Sequence, residues 1–310
     1  MSDRIPSVAV LMSTYNGEKY LREQIDSILN QSEVDIQLVI RDDGSADGTK
    51  KILQEYRKNK NITIKYGKNL GVGVSFMKLL CANIEADYYA FADQDDIWME
   101  DKLICAVRML ETQEGPALYG SNQMIANENG ESVGVRYKQK PPCDFVNSIM
   151  SCRISGCTMV MNRKLRVEMS KKINFPSRKY LQIRIHDSWT LAFANAFGVF
   201  IYDETPHILY RQHGDNVVGV VNQNIAQRIM AFLKTRRNQK IESTRRLLAR
   251  DLLNTARSQN MNLVKEKILM DFAMSDSVTR KILLLRNREI RKKLQESRLM
   301  FCIKVIMGTV

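Results

Sequence analysis

The sequence lacks several features that would decide its class at once. It has no CxxC pair, and no histidine lies at zinc-finger spacing, so the usual cysteine framework for structural zinc is absent. Its six cysteines, Cys81, Cys105, Cys143, Cys152, Cys157 and Cys302, are scattered. Several sit in apolar runs, where a thiol packs like a small hydrophobe. No stretch reaches the roughly 20 apolar residues of a bilayer-spanning helix. The best candidate, Leu299 to Val310, is shorter and contains Lys304, which suits a segment lying on a membrane surface. Ser2-Asp3-Arg4 leads straight into the first apolar run, with none of the length of a signal peptide. The expected compartment is the reducing cytosol. There is no internal repeat, no low-complexity tract, and no proline after residue 225.

What is present describes a globular chain. Hydrophobic residues make up 44% of the 310 and charged residues 26%, close to ordinary usage. That length suits one large α/β domain with an appendage, or two small domains. The net charge of +13 is localised. Residues 226–310 hold 20 Lys and Arg against 7 Asp and Glu, a surplus of 13, which leaves residues 1–225 neutral. A neutral body with a basic tail argues against nucleic acid as the main substrate and for an anionic surface or partner.

The first hundred residues alternate short apolar runs with helical spacing. Strands are predicted at Ser7 to Met12, Ile36 to Ile40, Ile62 to Ile64 and Tyr88 to Ala92. Helices are predicted at Glu18 to Asn30, Asp47 to Lys58 and Gly71 to about Ile84. This rhythm means a parallel sheet with helices on both faces. Polar clusters at 14–16, 42–45 and 93–96 follow the strands, at the carboxyl ends where open α/β sheets bind ligands. Beyond them, Ala117 to Ser121, Gly156 to Met161 and Val199 to Tyr202 read as strands and His186 to Phe197 as a helix. Residues 226–310 read as two or three basic helices.

The sharpest chemical signal is Asp93-Gln94-Asp95-Asp96 after the fourth strand. Crowded carboxylates repel, and a hard divalent cation, Mg²⁺ or Mn²⁺, offsets them and engages substrate phosphates. The bland alternative is a solvated loop capping the next helix. Asp42-Asp43-Gly44-Ser45 is both a helix-entry turn and a source of a carboxylate to accept a pyrimidine imide N–H. Gly71-Val72-Gly73 lacks the third glycine of a dinucleotide fingerprint and follows the third strand, which disfavours a Rossmann dehydrogenase.

Residues 7–110 resemble glycosyltransferase family 2, which has the GT-A fold. The resemblance rests on Val10 to Tyr15 with Asn16 and Gly17, on Gln24 through Ser27-Ile28-Leu29 to Gln31, on Asp42-Asp43-Gly44-Ser45, and on Asp93-Gln94-Asp95-Asp96-Ile97-Trp98. It continues through Ser155-Gly156-Cys157-Thr158, His186-Asp187-Ser188-Trp189 and Tyr210-Arg211-Gln212-His213 with Asn216 and Gly219. These later pieces are similar to rhamnosyltransferase-like members that build bacterial surface polysaccharide.

The resemblance implies an α/β GT-A domain over 1–225, with a nucleotide-binding half at 1–110 and an acceptor-binding half at 111–225, followed by a basic helical segment at 226–310. It implies a metal-dependent, inverting transferase using Mg²⁺ or Mn²⁺. Its donor would be a nucleotide diphosphate sugar and its acceptor a glycan or lipid-linked hydroxyl. Thr14, Tyr15 and Asn16 would line the nucleotide pocket, Asp42 or Asp43 would bond the base, and Asp93 with Gln94 would sit near the ribose. Asp95 would ligate the metal, with His213 touching the metal or diphosphate, and Asp187 would be the general base. His186 and Trp189 would contact the acceptor, although a Trp at that position is equally suited to the core. The favoured sugar is L-rhamnose from its dTDP form, with UDP-sugars as alternatives. Ser121-Asn122 and Met77 depart from common family residues and bear on pocket details.

Two other classes compete. A nucleotidyltransferase would carry an Arg- or Lys-bearing phosphate loop after the first strand, where this chain has Thr14-Tyr15-Asn16-Gly17. A non-enzymatic membrane or nucleic-acid adaptor would use the basic tail alone and leave Asp93, Asp95 and Asp187 unexplained. The tail itself is expected to rest on the anionic inner face of the membrane. Arg286, Arg288, Arg291, Lys292, Lys293 and Arg298 cluster just before Leu299-Met300-Phe301. Its bland alternative is a solvated basic face over an apolar stripe.

Overall fold

A computed structural model of the protein describes residues 4–182, 185–214, 243–257, 259 and 261–310. Asn216, Gly219 and the first part of the basic segment, up to residue 242, lie outside the described residues.

In chain order the elements of the first half are β1 (Ser7–Thr14), α1 (Leu21–Leu29), β2 (Asp35–Asp42), α2 (Thr49–Tyr56), β3 (Ile62–Tyr66), α3 (Val72–Leu80), β4 (Tyr88–Ala92), β5 (Ile97–Trp98) and α4 (Lys102–Leu110). The middle of the chain gives β6 (Ala117–Ala126), β7 (Ser132–Val135), α5 (Phe145–Met150), β8 (Val160–Asn162), α6 (Arg163–Ser170), α7 (Arg178–Leu181), α8 (His186–Phe197) and β9 (Val199–Arg211). The described tail adds α9 (Thr244–Ala256), α10 (Leu263–Ala273), α11 (Val278–Arg286), α12 (Arg288–Lys293) and α13 (Arg298–Ile306).

One nine-stranded sheet runs in the order β3-β2-β1-β4-β8-β6-β9-β5, with β7 on β6. The β3-β2-β1-β4 part is parallel, as the strand–helix alternation predicts. Successive side chains of a strand point to opposite faces, and β1 shows this directly. Ala9 and Leu11 enter one hydrophobic core, while Val8, Val10 and Met12 enter the other. Both faces are covered, which is why the strand reads as an unbroken apolar run. The parallel register pairs Thr14 with Asp42 and Met12 with Ala92. The three polar clusters therefore leave the sheet at one edge.

The second half extends the sheet in mixed directions. β8 is antiparallel to both β4 and β6, and β9 is parallel to β6 and antiparallel to β5. The strand predicted from Gly156 is displaced. Gly156–Thr158 forms one 3-10 turn, closed by Thr158 N–H on Ser155 and Met159 N–H on Gly156, and the strand begins at Val160. β9 runs on to Arg211, well past the predicted Tyr202.

The tail holds five short described helices where two or three were expected. Polar caps divide it. The side chains of Asn262, Ser277, Asn287 and Ser297 accept the first free N–H groups of α10, α11, α12 and α13, satisfying donors a helix start leaves open. These helices share a core with the body. Leu248, Leu252, Phe272, Ile290 and Phe301 join Ile149, Trp189 and Phe193 in one cluster. Asn147 donates to the carbonyl of Lys293 at 2.9 Å, and Arg245 to that of Met150 at 2.9 Å.

Candidate active site

The site is assembled where β1, β2 and β4 end. At the end of β1, Gln94 ties two loops together. Its Oε1 accepts from Thr14 Oγ1 at 2.7 Å and from the Tyr15 N–H at 2.8 Å, and its Nε2 donates to the Tyr15 carbonyl at 3.1 Å. Thr14 is buried and Tyr15 exposed at the rim. Asn16 has φ +49° and clamps the β2 loop, accepting from Ala46 N–H at 2.9 Å while its own N–H donates to Ser45.

The two adjacent carboxylates after β2 have different surroundings. Asp43 pairs with Arg41 and accepts the N–H groups of Leu70 and Gly71, both at 3.0 Å. This pulls the loop before α3 against the β2 turn. Gly44, at φ +88°, makes the approach possible, because a Cβ there would stand 3.0 Å from the backbone nitrogen of Asn69. Asp42 is buried. Its Oδ1 accepts from Ser45 at 2.5 Å, and its Oδ2 has no hydrogen-bond partner.

After β4 the carboxylates crowd as the sequence predicts. Burial, then Asp95 and Asp187, push the Asp93 carboxyl up to about 7. Burial, then Asp95 and Asp93, raise Asp96 well above the usual carboxylate range. Asp96 Oδ2 is a buried acceptor with no partner. Such an atom costs about 1–3 kcal/mol in a folded protein, a cost that a bound cation would offset. His213 Nε2 lies 2.8 Å from Asp95 Oδ2, across 118 residues of sequence. Ligand atoms of Asp93, Asp96 and Cys157 lie within 4.8 Å of one another, so this cluster, with Asp95 and His213 beside it, could hold a divalent cation.

Asp187 sits in the first turn of α8, where the helix dipole favours an anion. Its charge helps to raise the Asp93 carboxyl. The Ser155–Gly156 turn passes close by. A Cβ on Gly156 would be 2.5 Å from His186 Nε2 and 3.5 Å from Asp187 Cβ, so the glycine lets this backbone approach the start of α8.

Two assignments are corrected. His186 is buried, stacked on Phe76 with ring centroids 3.8 Å apart and edge-on to Phe91 at 4.6 Å. Burial drives its imidazole down to about 3, so it is neutral and belongs to the core. Trp189 is fully buried between Tyr180 and Phe193 and offers no face to a sugar. In a helix, neighbours one and two residues apart face different ways. Of this first turn, only Asp187 remains partly exposed.

Sequence reasoning missed the supports. Arg211 is buried and donates to the carbonyls of Asp95 at 3.0 Å and Glu128 at 2.6 Å and to Glu23 at 2.5 Å, with its guanidinium over Tyr20. It fixes the backbone of the Asp95 loop. Gln31 on the loop after α1 donates to the Met99 carbonyl at 2.6 Å and accepts from Leu103 at 2.9 Å. Lys102 is fully buried beneath the cluster, its Nζ 3.7 Å from the Trp98 ring centre. Burial lowers its ammonium to about 7, against the opposing pull of Cys157 and Asp96. The available signal was a lysine on the same helix stripe as Leu103, Ala106, Val107 and Leu110, all buried.

The glycosyl transferase family 2 model matches residues 9–166. The dTDP-rhamnosyl transferase RfbG of Shigella flexneri is 33% identical over 67% of this chain and 73% of its own. The UDP-Glc:alpha-D-GlcNAc-diphosphoundecaprenol beta-1,3-glucosyltransferase WfgD of Escherichia coli is 28% identical over 51% of this chain and 61% of its own. Among solved structures, S. aureus TarS 1–349 in complex with UDP-GlcNAc superposes with a TM-score of 0.54 over 97% of this chain and 91% of that chain, at 16% identity. That likeness bears on the fold.

Proposed function

The chain belongs to glycosyl transferase family 2, and from that premise we propose that it moves a sugar, with inversion, from a nucleotide diphosphate donor to a hydroxyl of a glycan or lipid-linked acceptor in bacterial surface-polysaccharide synthesis. One observation carries the reading. The carboxylates of Asp93, Asp95 and Asp96, with Asp95 against His213, are joined by the partly exposed Asp187 at the start of α8, whose charge helps raise Asp93. The cluster is suited to a diphosphate and its counter-cation, and Asp187 to an incoming hydroxyl.

Thr14, Tyr15 and Asn16 would form the wall of the nucleoside pocket, held in shape by Gln94. Asp42 or Asp43 would accept the imide N–H of a pyrimidine base. Mg²⁺ or Mn²⁺ at Asp95, with His213 beside it, would supply neutralisation of the charge on the departing diphosphate. Asp187 would take the proton of the acceptor hydroxyl as it attacks. Attack opposite the departing diphosphate inverts the anomeric centre. Arg211 and Gln94 would keep the reacting groups in register, since positioning supplies much of the acceleration of such a displacement.

For the donor we favour dTDP-L-rhamnose, on the RfbG likeness; WfgD is named for a UDP-sugar. Purified protein incubated with Mn²⁺ and a panel of dTDP- and UDP-sugars tests the choice. Thermal stabilisation and hydrolysis or transfer with dTDP-rhamnose above the UDP-sugars supports it, and the reverse order assigns the donor to the UDP series.

The tail would hold the enzyme at an anionic membrane. Among the described residues no helix is long and apolar enough to cross a membrane. On α11 and α13, however, Val278, Leu299 and Ile306 are 75%, 71% and 67% exposed. Lys281 on α11 caps the α13 carbonyl of Ile306 at 2.8 Å, so the two helices lie together. Arg280, Arg286, Arg288, Arg291, Lys292, Lys293 and Arg298, on these two helices and on α12 between them in sequence, are all exposed. Each contributes roughly 1 kcal/mol near an anionic leaflet.

A further inference from the structure

A second cluster of metal-ligating side chains lies away from the catalytic carboxylates. His207 on β9 is buried. Its Nδ1 is 3.0 Å from Asp101 Oδ1, and its Nε2 is 3.2 Å from Asp203 Oδ2. Asp203 is fixed in turn by the Tyr119 hydroxyl at 2.9 Å and the Thr205 N–H at 2.8 Å. Asp101 precedes α4, and Cys105 lies one turn along it, the Cys105 N–H bonding the Asp101 carbonyl at 3.0 Å. Cys105 Sγ is 3.7 Å from Asp101 Oδ2, and one ligand atom from each of Asp101, Cys105 and His207 falls within 4.8 Å of the others.

We propose that Asp101, Cys105 and His207 form a structural site for a borderline-soft divalent cation of the zinc class. Ligand bond lengths of a tetrahedral zinc centre place N···O edges at about 3.3 Å and S···O edges at about 3.5 Å. Asp101 meets His207 through Oδ1 at 3.0 Å and Cys105 through Oδ2 at 3.7 Å, so the carboxylate would turn one oxygen to a shared cation. The outer shell is also in place: Nε2 donates to Asp203, the carboxylate behind a metal-bound histidine that fixes its tautomer. Asp101 is 54% exposed along its side chain, which leaves an entry path and an open position for water.

The donor set separates this site from the catalytic one. A thiolate, an imidazole and a carboxylate select zinc-like cations over Mg²⁺ or Mn²⁺. Without a cation, burial and Asp101 keep the Cys105 thiol above its ordinary value. Binding would release the thiol proton to solvent. The consequence for catalysis is positional. His207 precedes Arg211 by four residues on β9, about 13 Å of strand. A cation joining β9 to α4 would steady the strand that delivers Arg211 and His213.

The test uses Co²⁺ as an optical probe. The full-length protein is stripped with chelator and titrated anaerobically with Co²⁺. A thiolate-to-cobalt charge-transfer band with tetrahedral d–d absorption is expected at one equivalent, displaced by Zn²⁺. Cys105→Ser should abolish the charge-transfer band and the rise in Tm with Zn²⁺. Cys157→Ser and Asp95→Ala should keep both. Asp203→Asn should weaken Zn²⁺ binding about ten- to a hundredfold. No band in the unmodified protein, a band surviving in Cys105→Ser, or one lost only in Cys157→Ser would overturn the assignment. The last result would place the thiolate in the catalytic cluster of Asp93, Asp96 and Cys157.

Discussion

His213 Nε2 stands 2.8 Å from Asp95 Oδ2, although 118 residues separate them. Arg211 secures the contact from the other side by donating to the Asp95 carbonyl at 3.0 Å. The end of β9 is thus folded over the loop that follows β4. His213→Gln is expected to lower metal-dependent transfer by about ten- to a hundredfold while leaving the fold intact. Initial rates across a Mn²⁺ titration check it. An unchanged Mn²⁺ requirement would remove His213 from the metal site.

Asp187→Asn keeps the shape of the first turn of α8 and removes the proposed base. Turnover should fall by about 10²–10⁴-fold, with donor affinity nearly unchanged. Rapid-quench transfer measured beside donor binding by fluorescence separates the two effects. A variant that turns over normally would exclude Asp187 as the base.

Trp189 is fully buried against Tyr180 and Phe193, so its replacement acts on stability. Trp189→Ala should cost about 3–5 kcal/mol, seen as a lower urea midpoint. Trp189→Phe should recover much of that loss, with KM for the acceptor unchanged. A selective rise in acceptor KM in the Phe variant would return Trp189 to the acceptor site.

Burial drives the His186 imidazole down to about 3, whereas an unfolded histidine titrates near 6.5. Between these values the unfolded chain binds a proton that the folded chain refuses. The stability associated with this group is therefore complete above about pH 6.5 and declines as pH falls toward 3, by up to about 1.4 kcal/mol per unit. His186→Leu should flatten this part of the acid limb in urea denaturation run at several pH values. An equal slope in both proteins would contradict the burial argument.

Leu299→Glu with Ile306→Glu places charges on two exposed positions of α13 without touching the buried Phe301 and Val305. Flotation with phosphatidylglycerol vesicles should show binding lost in the double variant. Sugar transfer to a soluble acceptor should persist. Vesicle binding equal to the parent's would end the membrane role for α11 and α13.

The first half of the chain was legible because its signals are local. Apolar runs of the β1 kind, buried on both faces, announce strands, and each polar cluster begins where a run stops. Asp93 and Asp95 could be singled out because three carboxylates in four residues demand an explanation. The second half resisted for physical reasons. The Gly156–Thr158 turn is packed against α8 by tertiary contacts, and β5 is a two-residue strand held by β9. His186 was misread, and Trp189 took its core alternative, because a functional motif does not say which of its side chains turn inward. The 3.6-residue period of α8 leaves Asp187 partly exposed while its neighbours enter the core. Arg211 acts through groups distant in sequence, so its spacing revealed no role, and Lys102 showed only its place on the buried stripe of α4.

The central claim is that the Asp95 cluster grips a cation and, with it, a diphosphate. Isothermal titration of the purified protein with dTDP or UDP in the presence of Mn²⁺, repeated with Asp95→Ala, tests it most directly. The account predicts saturable heat that requires Mn²⁺ and disappears in the variant. Equal heat from both proteins, or none from the unaltered one, would contradict it.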